Sequence, residues 1–312
     1  MTGRTSYAPP PTGHQHEIRL GEHVAVVGEV GATLRRYAVG DREILDGFDR
    51  GERSTAGRGQ VLAPWPNRLD AGRYQFEGRR GQAALDEPER GNAIHGLVRW
   101  LPWREIARED AAVRLGCLVH PQPAYPWRLE LEIEYRLEEE GLEVSTRARN
   151  GSDAACPFGI GFHPYLTLGE PSVDTALLTV PAERRLLSDE RGLPTGEEPV
   201  AGTGYDFRNA RPIGDTRLDT AFAALTTDPS GRSRVVLRGP SGRGIDLWWG
   251  RGFGYLMVYT GDTLDPASRR RGGIAVEPMT CPPNALRTGR DLIRLEPGEV
   301  WSGSWGISPW PA

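Results

Sequence analysis

The chain has too little cysteine to build a covalent framework. Its three cysteines, Cys117, Cys156 and Cys281, are scattered, which excludes a disulfide scaffold and the paired spacing of a zinc site. No apolar run approaches the ~20 residues of a transmembrane helix, so a membrane role is not expected. The N-terminal stretch MTGRTSYAPPPTGHQHEIRL lacks the hydrophobic segment of a secretory signal. Residues 1–19 therefore read as a flexible arm, and a reducing cytoplasm as the expected compartment. An excess of basic charge is missing too. With 38 Lys and Arg against 42 Asp and Glu, the formal net charge is −4, which leaves no electrostatic footprint for nucleic acid.

Helical periodicity sustained over ten residues is also absent, while 40 glycines and 26 prolines punctuate the whole chain and argue against long helices. Between them lie short alternating runs. The clearest is RLELEIEYRL, where Leu129, Leu131, Ile133, Tyr135 and Leu137 alternate with charged residues, the period-two pattern of a strand with one wet face. After the turn EEEG, Leu142, Val144, Thr146 and Ala148 share a face of LEVSTRA, so the pair reads as an antiparallel hairpin. Similar runs occur at HVAVVGEV, DTALLTV, SRVVLRG, GIDLWWG, GYLMVYTG, GGIAVEP and WSGSWGIS. Many short strands with close turn signals predict an all-β fold, a large antiparallel β-sandwich. No repeat of 20–50 residues points to a propeller. Residues 20–312 read as a single domain.

Four segments crowd ionisable residues among glycine, proline and aromatics. RGQVLAPWPNRLDAGRYQF places Asn67 and Arg68 beside a turn; Arg68 suits carboxylate, phosphate or hydroxyl partners, or is a surface arginine. In GNAIHGLVRW, His95 sits in an uncharged neighbourhood and is a structural histidine as readily as a working one. In CPFGIGFHPYLTLG, an extended backbone puts Phe158, Ile160 and Phe162 on one face and Gly159, Gly161, His163 and Tyr165 on the other. The two glycines are expected to leave space for a ligand beside His163. In IAVEPMTCPPNAL, Glu277 ends an apolar strand with Pro278, Pro282 and Pro283 behind it. A carboxylate there is either a rim salt bridge or a buried group with a task. A weaker signal is TRLDTAFAAL, where Asp219 precedes an apolar run and also fits a cap or turn.

Other chemistries fit poorly. His14 and His16 lie in the expected arm with no partner cluster, so no metal is expected. GRGFGY is not followed by a helix and fails the context test for a phosphate loop. No G-x-S-x-G elbow is present.

In order along the chain, PWPNRLDAGRY, NAIHGLVRW, GFHPYLTLG, RLDTAF and AVEPMTCPPNAL resemble the aldose 1-epimerase (galactose mutarotase) family, over roughly residues 20 to 308. The wording of PWPNR…GRY and of LPTG…YDFR is similar to bacterial members of a less-characterised branch. The resemblance implies a supersandwich with a sugar cleft across one sheet, a monosaccharide as partner, and neither metal nor nucleotide cofactor. It implies Glu277 as catalytic base and His163 as acid, with Asn67, Arg68, His95 and Asp219 binding the sugar and Tyr165, Trp248 and Trp249 as candidates to pack against its apolar face. The tryptophans fit a strand core equally well. Two departures, Leu97 after Gly96 and Thr220 after Asp219, bear on substrate identity more than on reaction type. On this reading Glu277 is partly desolvated but kept ionised by hydrogen bonds, His163 holds a transferable proton near neutral pH, and the two face one cleft about a pyranose apart. Alternatives are a mutarotase for a phosphorylated or sulfonated hexose, with Arg68 or Arg99 in a basic cluster, a non-catalytic carbohydrate-binding protein on the same scaffold, or a purely structural sandwich. Nothing in the sequence sets the oligomeric state.

Overall fold

The computed structural model describes residues 9–310. The RLELEIEYRL run forms strand Leu129–Glu138, and its five predicted inward residues are all buried. It pairs with Gly141–Asn150 from Leu129↔Asn150 to Glu138↔Gly141, closing the predicted hairpin around Glu139 and Glu140. Gly141 sits at φ +151°, and a Cβ there would lie 2.0 Å from the Ile307 carbonyl oxygen. This turn thus needs glycine for close strand approach.

This hairpin belongs to a nine-stranded sheet that includes Val300–Trp310, Gly244–Trp249 and Ser233–Arg238. A second, eight-stranded sheet contains Ala182–Ser188, Asp219–Leu225, Tyr255–Tyr259, Ile274–Met279, Gly161–Phe162 and Val61–Leu62, with Tyr165–Leu166 also paired to Ile274–Met279. Strand pairing within both sheets is antiparallel. All the shorter runs read as strands from the sequence carry strands here. The all-β expectation holds: among the described residues the only α-helix is Ala285–Thr288, and no helix is long and apolar enough to cross a membrane.

The two sheets share one core. Val235, Leu237, Leu247, Trp249, Trp305 and Ile307 from the larger sheet join Phe162, Phe222, Leu256, Val258, Ile274 and Val276 from the smaller. The Phe162 and Trp305 rings, 5.1 Å apart, stitch the layers together.

The flexible arm expected over residues 1–19 does not hold for residues 15–19. Gln15–Leu20 is a strand paired with His23–Gly28, and Ile18 is buried in the core; its two apolar residues, Ile18 and Leu20, were too few to read as an alternation. Residues 1–8 of that expected arm lie outside the described residues. His16, read as part of the arm, is buried and bonded to Glu105 at 3.0 Å.

Trp305 lies at the contact between sheets and is 1% exposed. Trp305→Ala should destabilise the protein by about 3–5 kcal/mol, read as a lowered urea midpoint with little change in m.

Candidate active site

Alternation along Ile274–Met279 decides where Glu277 goes. Ile274 and Val276 enter the common core, while Ala275 packs with Tyr165 and Leu264, and Met279 with Met257 and Tyr255, on the opposite face. Glu277 lies between these two patches. It projects from the outer face of the smaller sheet, yet is only 2% exposed because loops cover it. The cleft beneath those loops has a volume of about 340 Å³, within the range of small-molecule sites. Its lining includes Asn67, Arg68, His95, His163, Tyr165, Asp219 and Glu277, seven of the nine residues singled out from the sequence as catalytic or sugar-binding.

Two of the seven hold left-handed backbone, Asn67 at φ 56° and His95 at φ 64°. Such strain persists only where the surroundings enforce it. Here the two residues enforce each other: His95 N–H donates to the Asn67 carbonyl at 2.9 Å, and Asn67 N–H donates to His95 Nδ1 at 3.2 Å. An accepting Nδ1 leaves the ring proton on Nε2. Burial, then His163, holds the His95 pKa well below its ordinary value, so the ring is a neutral donor. Asn67 Oδ1 accepts from Arg68 N–H at 2.9 Å. Arg68 opens the two-stranded ribbon of Arg68–Asp70 and Asn92–Ile94, and Asn67 and His95 flank it at the same end.

The Arg68 guanidinium is buried and forked onto Glu87, with Nε to Oε2 at 2.9 Å and Nη2 to Oε1 at 3.0 Å. Arg99 pairs with Asp86 in the same wall, and Arg90 stands 4.0 Å from Glu87. The lining thus holds three arginines against Asp86, Glu87, Glu89, Asp219 and Glu277, and each arginine faces an acid. Asp219 opens strand Asp219–Leu225 opposite Tyr259; it is not a helix cap.

His163 Nε2 lies 3.3 Å from Glu277 Oε1, both side chains buried. Burial, and then the Arg58 charge, push the His163 pKa down to about 3. Burial, and then the Asp219 charge, raise that of Glu277 well above the usual carboxylate range, against the pull of Arg68.

Four expectations need correcting. The pair is in direct contact, not a pyranose apart. Glu277 is not sheltered by several hydrogen bonds: among the described residues Oε2 has no partner. His163 is a neutral imidazole near neutral pH, so its transferable proton is the N–H of the neutral ring. The glycines that clear space for it are not Gly159 and Gly161, where a Cβ would meet Cys281 Sγ at 2.5 Å and Met279 Cγ at 3.0 Å. Gly57 does this instead, at φ +73°, where a Cβ would meet His163 Cδ2 at 2.4 Å.

Trp248 and Trp249 leave the site altogether. Trp249 is in the core of the larger sheet, and Trp248 lies on that sheet's other face under Arg232. Sequence reasoning passed over Gly57, Asp86, Glu87, Met257 and Tyr259, which line the cleft. The run DEPER looks like any solvated acidic loop, and only its pairing with Arg68 and Arg99 singles it out.

In the folded state Glu277 binds its proton more tightly than in the unfolded chain. Its contribution to stability therefore falls as pH rises above the ordinary value of 4.5. Glu277→Gln should raise Tm near neutral pH, by roughly 2–4 °C for each kcal/mol relieved, with a smaller gain near pH 4.5. Calorimetry of both proteins across that range checks it.

The family model described as aldose 1-epimerase matches residues 15–308. The chain is 32% identical over 296 residues to the uncharacterized protein YihR of Escherichia coli K12, covering 92% of this chain and 91% of that one. It is 28% identical over 298 residues to maltose epimerase of Levilactobacillus brevis, covering 84% of each. It is 27% identical over 268 residues to human galactose mutarotase, covering 78% and 76%. Among solved structures, the GalM/aldose epimerase homologue from C. elegans superposes with a TM-score of 0.84 at 18% identity, over 95% of this chain and 98% of that one. Galactose 1-epimerase from Lactobacillus acidophilus gives 0.78 at 22%, over 95% and 94%. These likenesses share the antiparallel sandwich described above. With its motifs, sandwich and cleft in agreement, the chain belongs to the aldose 1-epimerase family.

Proposed function

We propose that the protein interconverts the α and β anomers of a neutral hexose, with Glu277 as base and His163 as acid. The observation that carries this is the 3.3 Å contact between carboxylate and imidazole at the floor of a buried cleft. Ring opening removes a proton from the anomeric hydroxyl and adds one to the ring oxygen. Both oxygens are bonded to C1, so the two groups must reach around a single carbon. Near neighbours meet that requirement.

The Glu277 carboxylate takes the proton from O1 as the C1–O5 bonding pair moves onto O5, and His163 gives its Nε2 proton to O5. The carboxyl, in contact with Nε2, returns its proton to the imidazole, so the half-reaction ends with the site as it began. Rotation about C1–C2 presents the other carbonyl face, and the same transfers in reverse close the ring. Desolvation makes Glu277 a stronger base than a solvated carboxylate. A neutral His163 keeps an N–H to offer over the working pH range. His95 Nε2–H and Arg68 supply donors, and Asp219 an acceptor, for the hydroxyls that hold the ring in place.

The charge count supports an uncharged sugar. A phosphate or sulfonate calls for a cation not already committed to an acid; Arg68 and Arg99 are paired with Glu87 and Asp86, Arg90 stands 4.0 Å from Glu87, and five acids line the cleft against these three arginines. The names of the relatives, galactose mutarotase and maltose epimerase, also support a neutral substrate. The retained contact between acid and base weighs against a purely sugar-binding or structural role.

Glu277→Gln and His163→Asn should each slow anomer interconversion by about 10²–10⁴-fold, followed by polarimetry on freshly dissolved α-glucose or α-galactose; near-parental rates reject the assignment. Activity should also fall as pH drops through the raised pKa of Glu277, so the acid limb of kcat/KM lies above the ordinary carboxylate value. Asp219→Asn removes the like charge that raises it. That limb should then move to lower pH, and an unmoved limb contradicts the assignment of Glu277 as base.

A further inference from the structure

A working imidazole is commonly oriented by a hydrogen bond to its far ring nitrogen. His163 has none: among the described residues nothing bonds to its Nδ1. Its ring lies instead on Tyr165, centroids 5.1 Å apart and planes 12° from parallel. The Arg58 guanidinium carbon sits 4.2 Å from the Tyr165 centroid. Arg58 is 2% exposed and cannot drift, because its Nε donates to the Asp46 carbonyl at 2.7 Å and its Nη2 to the Asp46 carboxylate at 2.9 Å. The turn that carries it is clipped to the strand, with Gly59 N–H donating to the His163 carbonyl at 2.9 Å. The Tyr165 hydroxyl donates to the Ala56 carbonyl at 3.1 Å.

Building on the site reading above, we propose that Arg58 is a positioning residue for the reaction: through the Tyr165 ring it fixes the plane of the His163 imidazole and disfavours positive charge on it. The other groups facing His163 are Glu277 on the neighbouring strand, His95 across the cleft at 5.4 Å between rings, and Arg99 in the wall. Only Glu277 among them favours an imidazolium. Arg58 opposes it and does not line the cleft, so this influence should persist whether or not sugar is bound. The direction in which burial and Arg58 move His163 agrees with this geometry.

Arg58→Met and Arg58→Lys test the proposal with two readouts. The first is the NMR titration of His163 in the sugar-free protein, assigned by its loss in His163→Asn. The second is the split of mutarotation into kcat and KM. In Arg58→Met, His163 should titrate at least about one unit higher, and kcat should fall about 10–100-fold with KM within about 3-fold of the parent. Arg58→Lys, which keeps the charge, should restore the parental titration and part of kcat. Parental values of both readouts in Arg58→Met overturn the proposal, as does a loss confined to KM or equal behaviour of the Lys and Met variants. Should Arg58→Met fail to fold, Tyr165→Leu leaves the Arg58–Asp46 pair in place and removes the middle of the stack; unchanged kcat there overturns it. Because the titration needs no sugar, a protein that turns over no aldose refutes the assigned reaction while leaving the effect of Arg58 measurable.

Discussion

The site depends on one costly arrangement: a carboxylate removed from water, with an imidazole as its close neighbour and no second hydrogen-bond partner among the described residues. Burying a charge in this way costs folding free energy, and a side chain of the same shape without the charge relieves it. The fold tolerates the arrangement because it is small beside the core that supports it, in which two sheets share one continuous apolar interior. What is unfavourable for stability is useful for chemistry, since a carboxylate short of partners holds a proton more strongly than a solvated one.

Each layer of the structure serves that placement. Strand alternation sends Ile274 and Val276 inward and leaves Glu277 on the far face. The turn over residues 55–60 lines the same cleft through Ala56 and Gly57, with Gly57 against the imidazole edge and the Arg58–Tyr165–His163 stack behind. On the opposite wall, the mutual hydrogen bonds of Asn67 and His95, one backbone to backbone and one from Asn67 N–H to His95 Nδ1, fix two left-handed residues and the His95 tautomer. Arg68 and Arg99 are neutralised locally by Glu87 and Asp86. The cleft is accordingly rich in polar groups without being a sink for anions, the character expected of a site that reads hydroxyls.

Much of this was legible in the sequence, and the reasons are physical. Period-two alternation is a property of a strand with one buried face, so Leu129–Glu138 and its hairpin partner could be read residue by residue. The candidate residues came from five short motifs in the order that resembles one family, and they line a single cleft. Local pattern failed where a contact is long-range. The spacing of His163 and Glu277 comes from strands that meet only in the fold. The space beside His163 comes from Gly57, over a hundred residues away, while the nearer Gly159 and Gly161 serve packing. Burial depth was not readable either, and it decides the charge of His163. The acidic loop at Asp86 and Glu87 gave no signal, since its role rests entirely on the arginines it meets.

The central claim is geometric: the anomeric carbon of a neutral aldose sits between Glu277 and His163. A crystal structure of the Glu277→Gln protein soaked with galactose or glucose tests it most directly. The account predicts O1 within hydrogen-bond distance of residue 277, O5 within hydrogen-bond distance of His163 Nε2, and Arg68 and Asp219 on hydroxyls away from C1. A sugar bound in the cleft with C1 remote from both groups, or bound only elsewhere on the protein, would contradict it.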